Sequence, residues 1–263
     1  MPTPTSPRSD RVKAVRALSR RSVRLRTGRF LAEGPQAVRE AVRHRPAEVV
    51  DVYLTAQAAT RHPEVVAAAT AAGLALHEVT DEVLAAMVDT QAPQGLVAVC
   101  RVPEPTLDDV LARSPRLLVL LSNVRDPGNA GTVIRGADAA GADAVLVSDA
   151  SVDVHAPKVV RSTAGSLFHL PVVTGLPVEV TIDRLRAAGI RVLAADGAGT
   201  TLLPDVDLGP AHAWVMGNEA WGLPEEVRQR CDLVVRVPIH GLAESLNLAM
   251  AATVCLYASA GAR

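Results

Sequence analysis

Three short stretches, each at the end of an apolar run, hold the polar residues that could do chemistry. The first follows Leu117–Leu121 and reads Ser122-Asn123-Val124-Arg125-Asp126-Pro127-Gly128-Asn129-Ala130-Gly131-Thr132-Val133-Ile134-Arg135. The second is Val215-Met216-Gly217-Asn218-Glu219-Ala220-Trp221-Gly222-Leu223-Pro224. The third is Pro238-Ile239-His240-Gly241-Leu242-Ala243-Glu244, followed by Ser245-Leu246-Asn247 and a long segment of Ala, Leu, Met and Val. A strand that runs into a Gly/Asn loop and then a helix is a ready-made anion site, because free N–H groups and the helix dipole face the ligand. Asn129 and Arg135 lie less than two helical turns apart in such a helix. Gly217 permits close backbone approach, although the glycines of this stretch could equally make a tight turn. Glu219 is badly matched to phosphate, so positioning or holding a cofactor amine suits it better. Ser245 and Asn247 stand at a helix entrance, where polar side chains cap free N–H groups. Taken alone, that third stretch is a capped, buried helix.

The elements that must position these stretches read as two α/β units. In the second unit, apolar runs at Leu117–Leu121, Ala144–Val147, Val172–Val173, Arg191–Ala195, Ala213–Met216 and Leu233–Val237 suit parallel strands buried on both faces. Helical patterns lie between them at 130–140, 156–164, 181–188, 224–230 and 244–260. This is a doubly wound pattern, in which ligands sit at the carboxyl ends of strands. In the first unit, a helix is predicted over 10–26, and Phe30-Leu31-Ala32-Glu33-Gly34 opens another over 35–43. Short strands at 49–54, 74–76 and 96–100 alternate with helices at 63–72 and 81–88. Pro103, Pro105 and Pro115 mark a linker over 103–115 that holds a short helix, 107–112. The expected layout is a disordered tail at 1–9, a substrate-binding domain at 10–102, the linker, and a second domain at 116–263.

Composition removes several classes of function. The chain has 263 residues and is 49% hydrophobic but only 2% aromatic, so its core is aliphatic. The net charge of −1 gives no global field toward nucleic acid. The charge is nevertheless uneven: nine basic residues against the single acid Asp10 fall between Arg8 and Arg29. That run is either a solvated face or a phosphate contact made through arginine forks. Cys100, Cys231 and Cys255 show neither disulfide nor metal-ligand spacing, which fits a reducing compartment. The histidines likewise lack ligand spacing, so no metal is expected. No apolar run approaches a membrane span, and the N-terminus lacks an apolar signal core; a cytoplasmic protein with no membrane partner is expected. The first stretch has neither G-x-G-x-x-G nor G-x-x-x-x-G-K-[ST], which argues against a nicotinamide enzyme or a phosphate-loop NTPase.

Taken together, the order and wording of the three stretches carry more than any one alone. Asn129 and Arg135 in N-x-G-x-x-x-R, Gly217-Asn218-Glu219 with Gly222-Leu223, and Pro238 followed by Ser245-Leu246-Asn247 resemble the three motifs of the SpoU (TrmH) family of RNA ribose 2′-O-methyltransferases, within the SPOUT superfamily. Phe30-Leu31-Ala32-Glu33-Gly34 after a basic helix resembles that family's substrate-binding domain. The resemblance spans roughly residues 10 to 260. It implies an α/β protein whose C-terminal Rossmann-like SPOUT domain is tied in a trefoil knot, beside a smaller N-terminal α/β, ribosomal-protein-like RNA-binding domain. It implies S-adenosyl-L-methionine as cofactor, against Gly217, Val237 and Leu246, with Asn218 and Ile239 beside them, and a homodimer with its site at the subunit interface. Arg135 matches the family's catalytic arginine, with Asn129, Glu219, Ser245 and Asn247 completing the catalytic set. Arg16, Arg20, Arg24, Arg29 and Arg125 become the RNA contacts. The implied reaction is methylation of a ribose 2′-hydroxyl, with 23S ribosomal RNA favoured. A transfer RNA substrate, or a non-catalytic ribosome-assembly factor of the same fold, are the alternatives. This chain carries Ala220 where many members have Gly, followed by Trp221, which is either core packing or a surface for stacking a base.

Overall fold

The structure, a computed structural model, describes residues 6–262. Of the tail expected over 1–9, residues 1–5 lie outside the described residues, and residues 6–9 form a turn ending at Ser9, whose hydroxyl caps the first helix. The chain divides into two compact units. The first runs to Pro103 and takes in Asp153–His169 as well; the second comprises Glu104–Val152 and the chain from Leu170 onward.

In the first unit, α1 (Asp10–Arg16) and α2 (Arg21–Thr27) replace the single helix predicted over 10–26. A 3-10 turn, Ala17–Ser19, and an extended Arg20 separate them. The break lets Val12, Val15, Leu18 and Val23 all reach one core. Next come β1 (Arg29–Glu33), α3 (Pro35–His44), β2 (Val49–Leu54), α4 (Ala56–Arg61), α5 (Pro63–Ala71), β3 (Leu76–Glu78), α6 (Asp81–Ala85) and β4 (Leu96–Arg101). β1 was not anticipated as a strand. Phe30, Leu31 and Ala32 are buried in it, and it pairs antiparallel with β4 from Arg29↔Arg101 to Glu33↔Val97. Helix α3 starts only after Gly34, whose φ of +88° favours glycine, with Pro35 in its first turn. The mixed sheet has the order β1-β4-β2-β3.

The second unit opens with α7 (Leu107–Leu111), held by a capping box between Thr106 and Asp109. β5 (Leu117–Leu121), α8 (Pro127–Ala139) and β6 (Ala144–Ser148) follow. Helix α9 (Pro157–Ser162) belongs to the first unit; the chain then returns through β7 (Val172–Leu176), α10 (Val178–Ala187), β8 (Arg191–Ala195), β9 (Thr201–Leu202), β10 (His212–Met216), α11 (Glu225–Arg230), β11 (Leu233–Arg236) and α12 (Leu248–Gly261). All seven strands pair in parallel, in the order β7-β6-β5-β10-β8-β11-β9.

Every residue of β5, β6 and β10 is buried, as expected for strands covered on both faces. Alternation sorts the two faces. Ala213 and Val215 join Leu118, Leu120, Val192 and the α10 residues Ile182 and Leu185 in one core. The alternate β10 residues His212 and Trp214 meet α12 on the other side. There Trp214 Nε1 donates to Ser259 Oγ at 2.9 Å, and His212 Nε2 lies 2.7 Å from the same oxygen. The last helix begins at Leu248, four residues later than predicted, because Asn247 caps it and residues 238–247 stay outside any helix.

Candidate active site

The three sequence stretches converge at the carboxyl ends of β5, β10 and β11. Asp126 caps α8 by accepting from Asn129 N at 2.7 Å. Glu219, just past β10, then ties that loop down. Its Oε1 accepts from Asp126 N at 3.2 Å and from Asn129 Nδ2 at 3.2 Å, and its Oε2 accepts from Arg125 N at 3.4 Å. Asn129 Oδ1 in turn accepts from Asn247 Nδ2 at 3.0 Å. The same Asn247 caps α12, its Oδ1 accepting from Ala249 N at 2.9 Å and Met250 N at 3.4 Å. Glu219, Asn129 and Asn247 therefore form one hydrogen-bonded row across three loops. Its anionic end is spent on backbone N–H groups, which gives Glu219 a positioning function.

Glu219 owes its place to the turn that carries it. Asn218 and Gly222 exchange both backbone hydrogen bonds, at 2.9 and 3.0 Å. The Asn218 side chain donates to Asn123 O at 2.7 Å and accepts from Ala220 N at 2.8 Å. Gly217 has no room for a side chain: a Cβ there would stand 2.4 Å from the Gly222 carbonyl carbon. The close approach inferred for Gly217 is thus to the turn's own backbone.

Beside this row lies a cavity of about 710 Å³. Gly217, Asn218, Val237, Ile239 and Leu246, the five residues assigned to the cofactor from sequence, all line it, as do Glu219 and Ser245. A volume of this size suits a nucleoside-sized ligand. Its walls offer apolar side chains next to strand-end backbone, a lining suited to an adenosine group. The cavity wall also includes Ala195, Asp196 and Gly197 at the end of β8, which sequence reasoning passed over. The available signal was an apolar strand running into Asp-Gly-Ala-Gly. Asp196 also has a bracing contact set within the protein. Its carboxylate accepts from Leu223 N at 3.1 Å, Ala198 N at 2.9 Å and Arg228 at 3.3 Å, fastening the 217–223 turn to β8.

Two of the proposed catalytic residues stand outside the row. Arg135 is exposed on α8, and Ser245 is exposed in the turn before α12; among the described residues neither side chain has a hydrogen-bond partner. The basic residues divide as well. Arg20, Arg29 and Arg125 are exposed, and Arg16 is exposed with Asp89 3.9 Å away. Arg24 must be removed from the RNA contacts. It is 4% exposed; it donates to Leu18 O and Ser19 O at 2.8 and 2.7 Å and to Asp153 Oδ2 at 2.6 Å. Its guanidinium holds segment 153–169 to the first unit, a use that a count of arginines does not reveal.

With this geometry in place, comparison with known proteins assigns the class. The profile of the SpoU rRNA Methylase family matches residues 116–257, and that of the MRM3-like substrate binding domain matches residues 9–98. The chain belongs to the SpoU rRNA methylase family. It is 34% identical over 253 residues to the 23S rRNA (guanosine(2553)-2′-O)-methyltransferase RlmP of Bacillus subtilis, covering 96% of each chain. Among solved structures it is similar to the AdoMet-bound rRNA methyltransferase of Sinorhizobium meliloti, with a TM-score of 0.85 and 32% identity over 98% of this chain and 97% of that one. It is also similar to the SpoU methyltransferase AviRb of Streptomyces viridochromogenes in complex with AdoMet, with a TM-score of 0.82 and 33% identity over 96% and 98%.

Proposed function

We propose that this protein methylates a ribose 2′-hydroxyl of ribosomal RNA, with 23S RNA the favoured substrate, using S-adenosyl-L-methionine. The observation that carries the reading is the cavity at the strand ends, walled by Gly217, Val237, Ile239 and Leu246 and adjoining the Glu219–Asn129–Asn247 row. Val237, Ile239 and Leu246 would hold the adenosine, and the bound cofactor would supply an already activated methyl group. The protein then has to orient the ribose and stabilise charge on its oxygen. Arg135, exposed on the helix that also carries Asn129, is assigned to the RNA phosphate and the developing alkoxide. A guanidinium stays protonated, so electrostatic anchoring suits it better than accepting a proton. Asn129, fixed from both sides, orients the ribose, and Ser245 anchors the cavity wall. Arg16, Arg20 and Arg29 in the first unit and Arg125 in the second are assigned to the RNA backbone.

The homodimer belongs to the same proposal. Among the described residues, six of the nine large exposed apolar side chains fall between Ile239 and Tyr257, and Met250, Val254 and Tyr257 recur at helical spacing along α12. A second copy of this chain is the occupant that such a stripe suits. The trefoil knot rests on the family likeness together with the path of the last segment, from β11 through the turn to α12 packed on α8 and β10. Among the described residues no helix is long and apolar enough to cross a membrane, and the three cysteines are free thiols, in keeping with a cytoplasmic reaction on RNA.

The test is incubation with tritiated S-adenosylmethionine and ribosomal RNA from a strain lacking the gene. Label mapped to one 2′-O-methyl nucleotide is expected. Arg135→Ala should abolish labelling while leaving the thermal stabilisation by S-adenosylmethionine intact. Near wild-type labelling by that variant would remove Arg135 from its assigned role.

A further inference from the structure

Trp221 has no part in the site as described. The chain has six aromatic residues apart from histidine, and Phe30, Tyr53, Phe168 and Trp214 are at most 2% exposed. Tyr257 belongs to the apolar stripe of α12. Trp221 is 56% exposed, so this aromatic-poor chain places one of its two tryptophans in solvent.

The turn that presents it is stiff. The Asn218–Gly222 backbone pair closes the turn, Ala220 N is held by Asn218 Oδ1, and Gly222 adopts φ +69° against Asp196. Two residues before the indole, Glu219 bonds Asn129 and the Arg125 amide. The Arg125 guanidinium lies over the indole, 5.5 Å from its centroid. Ala220 and Gly222, small residues on either side, leave the ring uncrowded. The result is a fixed aromatic surface with a cation beside it, next to the residues assigned to the ribose. An apolar protein partner would call for more apolar neighbours than Glu219 and Arg125 provide. An unpaired base over a phosphate backbone matches both the ring and the charge.

We propose that Trp221, with Arg125 beside it, is the stacking platform for an unpaired base at or next to the nucleotide being methylated. The inference rests on the reading of this site as an RNA methyltransferase. It makes Trp221 a residue that determines RNA affinity and context, while the Glu219 row sets the ribose.

The two tryptophans make the test direct. Trp214 is fully buried with its N–H bound to Ser259, so changes in emission on titration report Trp221. Poly(U) should quench the emission, and inorganic polyphosphate at equal phosphate concentration should not. Trp221→Leu should abolish the quenching and raise KM for unmodified ribosomal RNA by about tenfold, within the range for losing one base–aromatic stack. Its stabilisation by S-adenosylmethionine should not change, and Trp221→Phe should recover part of the KM. Equal quenching by polyphosphate, no quenching by poly(U), or an unchanged KM for Trp221→Leu would each overturn the platform. Failure of the wild type to bind S-adenosylmethionine would count against the methyltransferase reading instead, and quenching would still decide the platform.

Discussion

Asn247 serves two elements at once, and the two uses can be separated. Its Oδ1 caps α12, and its Nδ2 holds Asn129. Asn247→Ala should lose both, lowering stability by about 1 kcal/mol for the cap and lowering kcat. Asn247→Ser keeps a capping oxygen and loses the amide donor. It is expected to melt near the wild-type temperature while its kcat still falls, measured by thermal unfolding and by methyl transfer. Gly217 is subject to a harder limit. A Cβ there meets backbone atoms of Gly222 and Leu223, between 2.4 and 2.8 Å away, which no side-chain rotation relieves. Gly217→Ala should displace the turn at a cost of about 1–3 kcal/mol and lose the thermal shift given by S-adenosylmethionine. If that variant bound cofactor as well as wild type, the turn would have to be softer than its hydrogen bonds imply.

At the scale of elements, the segment Asp153–His169 carries a pH-dependent contribution. His155 is 8% exposed, its ring lies tilted against that of Phe30 with centroids 4.8 Å apart, and its Nε2 has no hydrogen-bond partner among the described residues. Burial holds its pKa down at about 4; nearby Asp153 acts in the other direction, and Arg24 acts with burial. The unfolded chain therefore binds this proton from about pH 6.5 downward while the folded chain stays neutral to about pH 4. The stability that depends on a neutral His155 is complete above pH 6.5 and drains away as the pH falls toward 4. Glu33, raised by burial despite its Arg161 partner, works in the opposite sense. The comparison that isolates His155 is wild type against His155→Phe: the variant should lose less stability between pH 6.5 and 4, by on the order of 2 kcal/mol, measured by denaturant unfolding across that range. None of this was legible in the sequence, where His155 was one histidine without ligand spacing. The strands of the second unit were legible, because five-residue runs such as Leu117–Leu121 admit little but a buried parallel strand. β1 was not, because Phe30–Glu33 borders a helix pattern and reveals itself only through pairing with β4, more than sixty residues downstream. The site followed the same division. The motif residues that line the cavity could be read from their wording, whereas Asp196 and the removal of Arg24 depend on contacts between distant stretches.

For the whole molecule, the apolar stripe on α12 is the face to which the proposed dimer is assigned. A glutamate at Val254, which is 41% exposed between Met250 and Tyr257, should convert the proposed dimer to a monomer in sedimentation velocity and reduce methyl transfer with it. A variant that stayed dimeric would move the interface elsewhere. The excursion of Asp153–His169 into the first unit has a different consequence, one of timing. The chain is made from its N-terminus, and the first unit is not complete when Pro103 has been synthesised, because α9 and the Arg24–Asp153 pair belong to it. At roughly 5–20 residues per second, the missing piece arrives several seconds later, after β5, α8 and β6 have been made. A nascent chain therefore has to hold an unfinished first unit while about a third of the second emerges, so the residues up to Pro103 do not by themselves supply everything the first unit contains.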